Sequence, residues 1–73
     1  MKHQVSIIDY AERGKSLYIQ VAVYDAVQER RFNEEVRFLD DLLYGELVHP
    51  KNSPLTEPCR LEAIEYLKKY FGR

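Results

Sequence analysis

A chain of 73 residues holds one domain and can bury only a modest core. Eleven basic against twelve acidic residues leave a net charge of −1. That balance argues against a dedicated duplex-DNA binder, which carries a basic excess. With 45% apolar and 32% charged residues the composition is that of a globular protein rather than a disordered tail. Cys59 is the only cysteine, so no disulfide can form within the chain. No apolar run approaches the roughly twenty residues that span a bilayer, and Met1–Val5 lacks the apolar segment of a signal peptide. These features predict a cytoplasmic, soluble single domain over residues 1–73.

Gln4–Tyr10 reads as a first strand, with Val5 and Ile7 alternating against Gln4, Ser6, Ile8 and Tyr10. Ala11–Lys15 is the turn. A three-residue loop with Gly14 in the left-handed position sets Ala11 opposite Lys15, Ile7 opposite Ile19 and Val5 opposite Val21. Leu17–Tyr24 is the clearest strand. Leu17, Ile19, Val21 and Val23 fall on one side, and Tyr18, Gln20, Ala22 and Tyr24 on the other. This register predicts a second hairpin face that is uncharged and carries Tyr10, Tyr18 and Tyr24.

Two readings stand for the next stretch. Asp25 can cap a helix through Ala26 and Val27, or Val27–Phe32 can return as a short third strand, which is preferred. From Asn33 the pattern predicts a helix. Asn33 is a good N-cap, Glu34 and Glu35 suit the first turn, and Val36, Leu39, Leu42 and Leu43 form an apolar stripe that ends at Gly45. Glu46–Leu55 is a loop around His49-Pro50 and Ser53-Pro54. Thr56 then caps a second helix with Pro58 in its first turn and Leu61, Ile64, Leu67 and Phe71 along one stripe. The expected fold is α+β: a small antiparallel sheet of two to four strands with two C-terminal helices packed on one face.

Residues that could carry chemistry are sparse. His3, His49 and Cys59 are far apart in sequence and lack metal-ligand spacing, so no metal or other cofactor is expected. Glu34-Glu35 and Asp40-Asp41 suit the solvated side of a helix or, with Glu46, an acidic ridge for a basic partner. Arg13-Gly14-Lys15-Ser16 lacks the upstream glycine and following helix of a phosphate loop. The chain therefore reads as a non-enzyme. Tyrosine couples a large contact area to a hydroxyl handle and is enriched at binding hot spots, so the tyrosine face is the candidate site.

Ile8-Asp9-Tyr10, Tyr18 and Gln20–Asp25 resemble the opening hairpin of the small phage anti-CRISPR proteins directed at type I-F systems. Arg31-Phe32-Asn33 leading to Leu42-Leu43-Tyr44-Gly45 is similar as well. The resemblance implies a four-stranded sheet and an inhibitor that binds the backbone subunits of the RNA-guided surveillance complex, blocking pairing of guide with target DNA. It carries the family's functional tyrosines onto Tyr10 and Tyr24, with Glu29 or Glu35 as acidic contacts. Together with Tyr18 and Gln20 from the strand reading, these residues form the expected partner-binding set. The alternatives are a small plasmid or phage nucleic-acid-binding regulator using Arg30, Arg31, Lys51, Lys68 and Lys69, and a homodimer that buries the tyrosine face.

Overall fold

The computed structural model describes residues 2–73. Four strands run as an antiparallel meander in chain order: β1 (Gln4–Arg13), β2 (Ser16–Asp25), β3 (Arg30–Leu39) and β4 (Leu42–Tyr44). A 3-10 turn at Glu46–Val48 follows, and then the helix α1 (Glu57–Phe71) lies across one side of the sheet.

The alternation in β2 places Leu17, Ile19, Val21 and Val23 in the core. Val36 and Phe38 of β3, Leu47, Val48, Leu55, and Cys59, Ala63 and Leu67 of α1 complete it. The helix buries the i, i+4 line Cys59, Ala63 and Leu67. Leu61, expected on the apolar stripe, is half exposed.

The expected pair of helices is corrected to one helix and a 3-10 turn. The stretch predicted as a helix from Asn33 to Gly45 is instead most of β3, a turn and β4. The reason is visible in β2, whose second edge pairs with β3 from Ser16↔Leu39 to Asp25↔Arg30. A helix there would have left that run of backbone donors and acceptors unmatched beside the core. Asp40-Asp41 is the two-residue hairpin turn, with Asp40 at φ 56, a conformation that aspartate tolerates. The third strand therefore runs over Arg30–Leu39 rather than Val27–Phe32.

The first hairpin also differs in register. Arg13 pairs with Ser16 across a two-residue Gly14-Lys15 turn, and Ile7 and Val5 meet Val21 and Val23. A β-bulge lies between Ile7↔Val21 and Asp9↔Gln20, so that Ile8 and Asp9 together oppose a single residue. Beyond the bulge the side-chain alternation of β1 inverts. Tyr10 stands opposite Ile19 and packs its ring edge-on against Phe71 of α1, with centroids 5.2 Å apart.

Candidate interaction face

Among the described residues, no helix or strand covers the side of the sheet away from α1. Cross-strand register sets its residues in rows: Ala11, Tyr18, Arg37 and Tyr44; Asp9, Gln20 and Glu35; Ser6, Ala22 and Asn33; Gln4, Tyr24 and Arg31. Two guanidinium groups lie over tyrosine rings, Arg31 over Tyr24 at 5.4 Å and Arg37 over Tyr44 at 5.5 Å. Such stacking holds a charged head flat while its N–H donors stay available. An open depression of about 660 Å³ at the turn end of the β1–β2 hairpin is lined by Ile8, Asp9, Tyr10, Ala11, Arg13, Tyr18, Gln20 and Glu35.

Of the residues expected in the site, Tyr18, Gln20, Tyr24 and Glu35 share this face. Tyr10 does not, because the bulge turns its ring to the helix side. Glu29 sits in the β2–β3 turn at φ 54, away from the rows. The face is not uncharged, since β3 adds Arg31, Glu35 and Arg37 between the tyrosines. Nor do the acidic residues make a ridge. Glu34 and Glu35 point to opposite sides of β3, and Asp40-Asp41 is a turn. Arg31, Arg37 and Tyr44 were missed as partners of the tyrosines. The signal for them was the alternation of Phe32, Val36 and Phe38 at even positions, which leaves Arg31, Asn33, Glu35 and Arg37 on the opposite side.

A second polar cluster lies at the other edge of the core. Asp25 is completely buried. Its carboxylate accepts hydrogen bonds from the Thr56 N–H (2.8 Å), the Gln28 side-chain amide (2.8 Å), the Val27 N–H (3.0 Å) and the Thr56 hydroxyl (2.9 Å). Burial alone would raise its pKa. The donors from Thr56 and Gln28 outweigh that effect and hold the carboxyl well below the usual carboxylate range. Thr56 is the N-cap of α1, yet its hydroxyl serves Asp25 rather than the helix. The positive end of the helix thus faces a carboxylate supplied by β2.

His3 and Cys59, remote in sequence, both come to this carboxylate. With Asp25 they form a set whose candidate ligand atoms lie within 4.8 Å of one another. The His3 Nδ1 accepts the Ala26 N–H at 3.0 Å. Burial, with the negative charges of Asp25 and Glu62, pushes the Cys59 thiol up to about 11. The donor atoms a cation would need are thus a protonated thiol, an occupied imidazole nitrogen and a carboxylate already serving Thr56 and Gln28. The cluster ties the β2–β3 turn to the start of α1. Among the described residues, no helix is long and apolar enough to cross a membrane. Comparison of the chain with protein-family models, with curated proteins and with solved structures gave no match in any of the three.

Proposed function

We propose that this chain is a non-catalytic binding protein that occludes a protein partner with the open face of its sheet, acting as an inhibitor of the phage anti-CRISPR kind on a CRISPR surveillance complex. The observation that carries the binding reading is the Tyr–Arg lattice on a face that no helix or strand among the described residues covers. Tyrosine and arginine are the residues enriched at protein-interface centres, and lysine, which is depleted there, is absent from the strand positions of this face. The resemblance in the β1–β2 hairpin names the surveillance complex. Tyr24 is the tyrosine implied by that resemblance which stays on the face. Tyr18, Arg31, Arg37 and Tyr44 take the place that Tyr10 was expected to hold.

The test is a pull-down of purified type I-F surveillance complex with the wild-type chain and with Tyr18→Ala, Tyr24→Ala and Arg37→Ala. Capture that falls about tenfold or more in the variants, with circular dichroism unchanged, supports the proposal. Absence of capture by the wild-type chain refutes the named partner, and equal capture by all variants refutes the face.

Single-stranded nucleic acid is the second reading. Among the described residues the one ion pair between a lysine or arginine and a carboxylate is Lys69–Glu65, which leaves Arg31 and Arg37 without a carboxylate. Bases can stack on tyrosines beside such arginines. Binding to a labelled oligonucleotide that weakens steeply with salt would favour it.

A further inference from the structure

β4 is three residues long and covers only Arg37–Leu39 of β3. At Gly45 (φ 142) the chain leaves the sheet, and a side chain there would meet Val36 and the Glu35 carbonyl at 3.1–3.3 Å. The outer edge of β3 from Arg30 to Glu35 therefore pairs with no strand, and no backbone hydrogen bond reaches it from the loops among the described residues. All of these residues except the half-buried Phe32 are exposed.

The sequence along that edge is Arg30-Arg31-Phe32-Asn33-Glu34-Glu35, basic at one end and acidic at the other. The geometry points to this edge as a self-pairing interface, in which a second copy of the chain adds its own β3 antiparallel to the first about a two-fold axis at Phe32. An antiparallel two-fold axis normal to a sheet pairs residues of the same face. Centred on Phe32, it sets Arg30 opposite the partner's Glu34, Phe32 opposite the partner's Phe32, and Arg31 opposite the partner's Asn33. Arg31 is then diagonal to the partner's Glu35 on the open face. Each opposite-charge contact occurs twice by symmetry. The Arg30 guanidinium, now over Phe32 at 5.5 Å, already lies beside the position of the central aromatic pair.

The other long edge, that of β1, is closed to the same use. It is broken by the bulge at Ile8, and the Asp9 carboxylate accepts the Tyr10 N–H at 2.8 Å. Both are devices that protect an edge strand from pairing. Dimerisation through β3 would produce an eight-stranded sheet with the two open faces on the same side. The inference does not depend on what those faces bind.

Sedimentation equilibrium across a concentration series tests it. A wild-type dimer is expected. Arg30→Glu or Glu34→Arg alone should weaken it about tenfold or more, because each reversal sets like charges opposite one another twice. The double variant Arg30→Glu/Glu34→Arg should restore it, as should mixing the two single variants. Arg13→Glu on the β1 edge should have no effect. A strictly monomeric wild-type chain at millimolar concentration overturns the inference. So does a dimer that survives both single reversals, or one broken by Arg13→Glu. Circular dichroism of each variant separates loss of pairing from loss of fold, and recovery in the double variant cannot arise from misfolding.

Discussion

Asp25→Asn is the sharpest test of how this fold is held. The substitution keeps size and shape but replaces one carboxylate oxygen with an NH2 group and removes the charge. Three donors lie within 3.0 Å of Oδ2: the Thr56 N–H, the Gln28 amide and the Thr56 hydroxyl. The Oδ1 side takes the Val27 N–H at 3.0 Å, the Gln28 N–H at 3.4 Å and the Thr56 hydroxyl at 3.1 Å. Whichever way the amide lies, it sets N–H against N–H for two donors that cannot rotate away together. Charge-assisted bonds contribute about 1.5–3 kcal/mol each, and water reaches part of the cluster, so the expected loss is about 2–4 kcal/mol. A domain of this size has roughly 4–11 kcal/mol in total, and the melting temperature should fall by roughly 10–30 °C.

The pH dependence gives the same prediction a second arm. Because the folded carboxyl titrates below its ordinary value of 3.8, the unfolded chain takes up the proton first as the solution is acidified. The contribution of Asp25 is therefore complete above that value and is lost progressively as pH falls below it. Urea unfolding followed by circular dichroism at pH 7, 4 and 2 should show wild type and variant far apart at pH 7 and converging at pH 2. A variant within about 0.5 kcal/mol of wild type at pH 7, or a gap undiminished at pH 2, would refute the account.

Tyr10→Ala should cost about 1 kcal/mol of stability through loss of the Phe71 contact and leave partner capture unchanged, whereas Tyr24→Ala should do the reverse; urea unfolding and the pull-down read the two effects. Leu67→Ala, at a fully buried position, should cost about 2–5 kcal/mol in the same unfolding assay. Cys59 should resist a thiol reagent at pH 8, since its thiol is buried and pushed up to about 11; labelling should become fast only in urea. Gly45→Ala should destabilise by more than Gly14→Ala in thermal melts. Both positions have positive φ, but only the Gly45 side chain would meet Val36 and Glu35, while nothing lies within 4 Å at Gly14.

Local pattern was enough for β2 and α1 and insufficient between Asp25 and Gly45. β2 alternates without interruption because both of its neighbours are strands and one of its faces is core. Thr56, Pro58 and the apolar spacing of α1 act within a few residues, so that helix was legible too. Asn33-Glu34-Glu35 has the chemistry of a helix start, and Leu39, Leu42 and Leu43 the spacing of a helix stripe. What overrode them is non-local: β2 requires a partner along its second edge, and Val36 and Phe38 are needed in the layer beneath α1. Tyr10 was misplaced for a different reason. A single extra residue at Ile8 inverts the alternation that follows it, and nothing in Ser6–Tyr10 marks the bulge, because Ile8 suits either face. The Asp25 cluster was invisible as a cluster, since His3, Asp25, Thr56 and Cys59 meet only once the meander and the helix are in place.

The division of labour between the two sides of the sheet follows from how α1 is anchored. Its N-terminus is tied to β2 through Asp25 and Thr56. At its C-terminus, Phe71 lies edge-on to Phe38 and Tyr10, and the Arg73 guanidinium reaches the Asp40 carbonyl at 2.6 Å and covers Phe38. A fifteen-residue helix clamped at both ends closes a core that draws nothing from the far side of the sheet, where the cross-strand rows of tyrosine, arginine and amide side chains face solvent. Those side chains are consequently free of folding duty. Substitutions among Tyr18, Arg31, Arg37 and Tyr44 should each shift stability by less than about 1 kcal/mol, so any larger effect they have on partner capture can be assigned to contact rather than to loss of structure.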